Sequence, residues 1–250
     1  MNSRTISPTA AFAATGLSRT LPGWLLLAAA ALSVMFVLVP QLDLAASGLF
    51  ARGVEGFPLQ HATWLGLFNG SVLKTSRAAS AVLLGLSLLA WLAPRTSMLA
   101  RQRPALLFVL LALALGPGLL VNQVLKDTSG RARPVQIQQF GGIQHFTPAF
   151  VIAEECERNC SFVSGHVAAA TMPVAGYFIA ATRRRRRLWL AGGLALGAAV
   201  GLARLAVGAH FLSDVLIAML LTWTVCALVA AVVLGGRTAA GWVGSREAGA

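Results

Sequence analysis

Nearly every reactive polar group of this otherwise apolar chain lies in three short strings. They are Lys126-Asp127-Thr128-Ser129-Gly130-Arg131-Ala132-Arg133-Pro134, then Ser164-Gly165-His166, then Arg204 followed by His210 and Asp214. Cations, imidazoles and a helix start in this order suit phosphoryl chemistry. Fixed cations and N–H donors stabilise charge spread over equatorial phosphoryl oxygens, while an imidazole can attack phosphorus or protonate a leaving oxygen.

Each string has its own logic. Lys126 and Arg133 are seven residues apart and can converge on one anion, the arginine as a planar fork and the lysine as a mobile point charge. Alone, the pair reads more readily as a snorkelling lysine and a solvated loop arginine. Ser164 precedes Gly165-His166-Val167-Ala168-Ala169-Ala170, a helix start whose cap is Ser164 and whose free N–H groups favour an anion. His166 stands beside that anion with an ordinary pKa close to neutrality. His210 and Asp214 are at i and i+4, hence on one helix face, so the carboxylate is expected to hold one ring N–H and leave the other nitrogen free to attack. An Asp near the start of an apolar helix needs a partner, and His210 is the obvious one.

The elements that must position these groups are read from composition. Of the 250 residues 57% are apolar and 11% charged, and histidine occurs only at positions 61, 145, 166 and 210. A water-soluble domain does not have that composition. Apolar stretches of about 18 to 20 residues can cross the hydrocarbon core as helices, and no alternating pattern suggests a barrel. The expected fold is all-α, a polytopic membrane bundle of six transmembrane helices at about 22–40, 75–93, 104–125, 165–182, 188–206 and 211–234. Residues 1–20 and 236–250 are expected to be cytoplasmic tails of one six-span domain over 21–235. The first span is expected to stay uncleaved, since its apolar run exceeds a signal h-region and ends in Val39-Pro40-Gln41.

Charge sets the expected orientation. Arg4, Arg19, Arg95, Arg101, Arg103, the run Arg183 to Arg187, Arg237 and Arg246 share one face of this map, which the positive-inside rule makes cytoplasmic. The net charge of +12 is then a topology signal that also meets anionic headgroups, with no call for nucleic acid. All four histidines and Asp43, Glu55, Asp127, Glu154, Glu155, Glu157 and Asp214 fall on the other, periplasmic face of a bacterial inner membrane. There, residues 41–74 suggest a loop or interfacial helix. The polar segment 126–164 holds Cys156 and Cys160. A disulfide is permitted on that side, and Cys-x3-Cys on a helical turn brings the Cα atoms to about 6 Å, yet two free thiols fit as well. No second Cys/His pair has zinc-like spacing, so no metal site is read. Cys226 reads as a packing residue. Arg131, His145, Glu154 and Glu155 read as solvated loop surface in preference to headgroup contacts.

In order and spacing the strings resemble the type 2 phosphatidic acid phosphatase (PAP2) superfamily, whose pattern is Lys-x6-Arg-Pro, Pro-Ser-Gly-His and Ser-Arg-x5-His-x3-Asp. The matching positions are Lys126 to Arg133-Pro134, Ser164-Gly165-His166, and Arg204, His210 and Asp214. Val163 stands where the family usually has Pro, and Ala203 where it usually has Ser. The resemblance implies six spans and a metal-independent lipid phosphatase without cofactor. His210 would attack phosphorus to give a phosphohistidine, Asp214 would orient it, and His166 would protonate the leaving alkoxide. Lys126, Arg133, Arg204, Ser164 and Gly165 would hold the phosphate oxygens.

The substrate expected is a membrane lipid phosphate or diphosphate that stays in the bilayer: lipid A phosphate, undecaprenyl diphosphate or phosphatidylglycerophosphate, with lipid A favoured. No obligate protein partner is evident. The alternatives are a lipid-to-lipid phosphotransferase using the same site, and a non-catalytic lipid transporter or scaffold. The latter fits poorly with polar motifs gathered at one face and no visible repeat.

Overall fold

A computed structural model describes residues 8–234, with side chains from residue 23 onward; residues 1–7 and 235–250, on which the expected tails partly fall, lie outside it. The described residues form helices and loops with no strand beyond one isolated bridge, Ile137 to Gln144. In chain order the helices are α1 (Pro8–Leu38), α2 (Gln41–Gly48), α3 (Thr63–Leu92), α4 (Met98–Arg101), α5 (Arg103–Leu113), α6 (Lys126–Thr128), α7 (Gly165–Thr171), α8 (Gly176–Ile179), α9 (Arg183–Ala206) and α10 (Leu212–Val233). A π-helical stretch, Ala114–Leu125, joins α5 to α6.

Four helical stretches are long and apolar enough to cross a membrane: Thr63–Leu92, Arg103–Thr128, Arg183–Ala206 and Leu212–Val233. A fifth arises if the bent pair Gly23–Leu38 and Gln41–Gly48, which turns by 82°, counts as one span. Two expectations change. The second span begins at Thr63, twelve residues before the expected start. Residues 63–74, expected as interfacial loop or helix, continue the same helix through Trp64, Gly66, Phe68 and Gly70, and Ser71 donates its hydroxyl to Phe68 O within it. The expected fourth span, 165–182, is no single helix. It is α7, a 3₁₀ turn over Met172–Ala175 and α8, broken at Pro173, which has no N–H to continue the ladder. The segment 41–62 does contain a short helix, α2, turned sharply away from α1.

The same helices set the end at which the site forms. α9 carries Gly193, Gly197 and Gly201 on one face, where an added Cβ would collide with Val174, Thr171 and Val215 respectively. This seam of small residues lets α9 lie against α7 and α10 at backbone distance. Arg204 is thereby brought to the start of α7 and the start of α10. Beneath that meeting point Phe36, Val121, Phe162, Val167, Val200, Val215 and Ile217 form the main buried core. The loop segment 129–163 closes the same end. Val135 N–H donates to Gly208 O (2.9 Å), Ser161 N–H to Arg131 O (2.9 Å) and Ser164 N–H to Asp214 O (3.2 Å), so the three strings are stitched together by backbone. The connections that carry Arg95, Arg101, Arg103 and Arg183 to Arg187 lie at the opposite ends of their helices.

Candidate active site

Lys126 sits at the end of the π-helical stretch, where the carbonyl of Pro117 is satisfied by Asn122 Nδ2 (2.6 Å). Its Nζ donates to Asn159 Oδ1 (2.9 Å), and Arg133 donates through a guanidinium N–H to Asn159 O (2.9 Å). Asn159, in a left-handed turn (φ 51°), thus holds both cations of the first string, one through its side-chain oxygen and one through its backbone carbonyl. Ser164 caps α7, accepting from Val167 N–H at 3.5 Å. A Cβ on Gly165 would run into Asn122 Oδ1 and stand 3.5 Å from Lys126 Nζ, so the bare backbone of Gly165 borders the lysine directly. Arg204, in the last turn of α9, keeps a buried Nε with no partner among the described residues. His166 is half-buried, and burial together with the charges of Arg204, Lys126 and Arg133 pushes its imidazole down to about 3, well below the near-neutral value expected from the sequence, so without an anion among these cations the ring is neutral. Burial pushes the Arg133 guanidinium below its ordinary value, partly opposed by the Asp214 carboxylate. A cluster of cations with an unpartnered N–H and an open glycine backbone can hold a multiply charged anion.

His210 opens the approach to α10 after a turn in which Gly208 adopts φ 65° against the Phe57 ring. It is 1% exposed. The expected His210–Asp214 contact is present but long, and a second acceptor lies nearer the same ring nitrogen. Nδ1 is 2.8 Å from Ser161 O and 3.5 Å from Asp214 Oδ2, so the carbonyl takes the ring N–H and the carboxylate stands behind it. The reason is competition for the carboxylate: Asp214 Oδ2 accepts the Phe211 N–H (2.8 Å) as a helix cap and the Ser161 hydroxyl, while Oδ1 accepts from Arg131 (2.7 Å). With Nδ1 carrying the proton, Nε2 keeps its lone pair. Burial pushes the His210 imidazole down to about 4, against the pull of Asp214, so the ring is neutral near pH 7.

The sequence reading of Arg131 as solvated loop surface is wrong. It is 1% exposed. Its guanidinium bonds Asp43 (2.8 Å), Asp214 (2.7 Å), Ser213 Oγ (2.9 Å) and Thr147 O (2.9 Å), and stacks 4.1 Å from the Phe211 ring. Asp43, Ser161, Ser213 and Asn159 were also missed. A buried acid in α2 signals a partner, and that signal was legible at Asp43; the others are loop and cap residues with no signature of their own. His145 is solvent-exposed and pairs with Glu155 (3.1 Å), away from the cluster. Cys156 and Cys160 are joined in a disulfide with Cα atoms 5.6 Å apart, in a bend and not in the helical turn considered from the sequence. Cys226 is buried in α10.

Below the cations, α3, α5, α7 and α9 leave a cavity of about 500 Å³. It is bordered by Phe68, Ser76, Val109, Ala169, Ala170 and Leu196 among others, and starts one turn past His166 on α7.

A model of the PAP2 superfamily matches residues 105–236, which hold all three strings. The chain belongs to the PAP2 superfamily. Within it, the chain is similar to the lipid A 4'-phosphatase of Francisella tularensis subsp. novicida, 39% identical over 133 residues, 52% of this chain and 60% of that protein. It is also similar to the lipid A 4'-phosphatases of Rhizobium etli (40% over 120 residues; 48% of this chain, 46% of the relative) and Rhizobium leguminosarum (40% over 119 residues; 48% and 51%). The chain thus spans about half the length of these curated relatives. Its fold is shared with the crystal structure of a transmembrane PAP2 type phosphatidylglycerolphosphate phosphatase from Bacillus subtilis, at TM-score 0.53 and 22% identity, covering 83% of this chain and 93% of that one.

Proposed function

We propose that this PAP2 protein is a membrane phosphatase that removes phosphate from a lipid A-type glycolipid at the periplasmic face of a bacterial inner membrane. The observation that carries the reading is a buried, neutral His210 with Nδ1 held and Nε2 free, near three cations, Lys126, Arg133 and Arg204, that form no salt bridge among the described residues. In the proposed reaction Nε2 attacks phosphorus and the P–O bond to the lipid breaks, its electron pair leaving with the oxygen. His166, protonated when the anionic substrate enters, gives that oxygen its proton. Lys126, Arg133, Arg204, the Ser164 hydroxyl and the Gly165 N–H hold the equatorial oxygens, and Asp214 balances the positive charge that grows on His210. Water deprotonated by His166 then releases inorganic phosphate from phosphohistidine. Metal has no step in this scheme.

The lipid class is supported by the curated relatives, each named a lipid A 4'-phosphatase, and by the cavity below the cations. Two of the groove's serines, Ser71 and Ser80, donate their hydroxyls to their own helix, and most of the remaining lining is apolar, which suits hydrocarbon. The periplasmic assignment rests on the arginine-rich connections at the far ends of the helices. The test is to trap the intermediate: protein quenched during turnover of a radiolabelled lipid phosphate is expected to carry base-stable, acid-labile label at His210. Full turnover without label in wild type, or with label elsewhere, would refute the mechanism.

A further inference from the structure

A second charged cluster lies behind the nucleophile, and one of its members comes from outside the family-matched segment. Asp43, on the first turn of α2, is fully buried. Its Oδ1 accepts the Ser213 N–H (2.8 Å), and its Oδ2 accepts the Ser213 hydroxyl (2.6 Å) and one arm of Arg131 (2.8 Å). The other arm of Arg131 reaches Asp214, whose second oxygen faces His210. The chain of contacts therefore runs Asp43, Arg131, Asp214, His210, with Ser213 bridging Asp43 and Arg131.

The charges in that chain do not cancel at rest. Every hydrogen bond to the Asp43 side chain comes from a donor, the Ser213 N–H, the Ser213 hydroxyl and Arg131, which holds it as a carboxylate against the cost of burial; two carboxylates then share one guanidinium, and with His210 neutral the cluster holds one excess negative charge. A cluster built only to hold α2 on α10 would be better off neutral, because an uncompensated buried charge is costly. The excess does have a match when His210 becomes cationic, as it must once its nitrogen bonds phosphorus. We infer that Asp43 and Arg131 are positioning residues for His210: Arg131 fixes the Asp214 carboxylate, and Asp43, by engaging the other half of the guanidinium, prevents Asp214 from being fully neutralised. This rests on the proposed role of His210 as nucleophile.

The test uses the full-length protein in detergent with Asp43→Asn, which keeps shape and removes the charge. Expected are a fall in kcat of about tenfold or more, KM within about twofold, and an equal loss of affinity for vanadate, which imitates the phosphoryl transition state, while affinity for inorganic phosphate is unchanged. A purely structural role would shift vanadate and phosphate together or neither. Ser213→Ala, a milder change, is the second variant and is expected to lower kcat severalfold with the same split, which keeps the inference testable if Asp43→Asn does not fold. Unchanged kcat in a folded variant, or equal losses for both ligands, overturns it. If wild type itself shows no turnover that depends on His210, the failure lies with the proposed function and not with Asp43.

Discussion

Asp214→Asn separates two ways in which a carboxylate can serve a histidine. Where the carboxylate alone holds the ring N–H, as in a Ser-His-Asp triad, the amide substitution inverts the tautomer and costs about 10⁴ in kcat. Here Ser161 O holds Nδ1–H at 2.8 Å and Asp214 Oδ2 is 3.5 Å away, so the tautomer survives the change and only the field is lost. At an effective dielectric of about 20, unit charges at that separation interact by roughly 5 kcal/mol. Arg131, 2.7 Å from the same carboxylate, cancels roughly half of it, leaving about 2 to 3 kcal/mol of selective stabilisation of cationic His210. At about 1.4 kcal/mol per decade that is a loss of order 10² in kcat. The assay is steady-state phosphate release by Asp214→Asn beside wild type and His210→Ala, with thermal unfolding to verify the fold. A folded Asp214→Asn enzyme as inert as His210→Ala, or one within about fivefold of wild type, would refute this division of labour.

Other expected outcomes follow from single contacts. Gly165→Ala drives a methyl into Asn122 Oδ1 beside Lys126 Nζ, so the inhibition constant for inorganic phosphate is expected to rise about tenfold with the fold intact; an unchanged constant would remove Gly165 from the anion site. The attacking form of His210 is neutral and its pKa is lowered from 6.5 to about 4, so it is present above about pH 4 and lost as pH falls through that value. With an activated leaving group that needs no protonation, phosphoenzyme formation is expected to stay level from about pH 8 to 5, and an acid limb centred near 6.5 would contradict the assignment. By linkage the same group makes the fold less stable as pH falls from about 6.5 to 4, where the unfolded chain takes up the proton first. Cys156→Ser, which opens a loop of four-residue separation, is expected to cost about 2 kcal/mol and to weaken phosphate binding through Asn159; a variant with unchanged melting temperature and affinity would mean that the bridge does not hold the loop.

The sequence made legible those features that depend on spacing along one element. Capping of α7 by Ser164, the apolar helices, and the placement of Lys126, His166, Arg204 and His210 at one end all follow from short-range pattern. What it concealed was set by contacts between distant segments. Arg131 reads as a loop charge until Asp43, 88 residues earlier, and Asp214, 83 residues later, are known to enclose it. The i,i+4 geometry of His210 and Asp214 pointed to a direct bond, but helix capping and Arg131 claim the carboxylate first. The length of α3 was hidden because Trp64, Gly66, Phe68 and Gly70 read as part of an interfacial loop or helix over 41–74. The break in the fourth helical segment falls at Pro173, a helix breaker inside the apolar run that read as one span.

The central claim is tested most directly by phosphate release from purified protein, with chelator and no added metal, against lipid A, undecaprenyl diphosphate, phosphatidylglycerophosphate and phosphatidic acid, beside His210→Ala. Wild type is expected to release phosphate from lipid A and the variant to release none. Release that persists in His210→Ala, or no release from any of the four lipids, would contradict it.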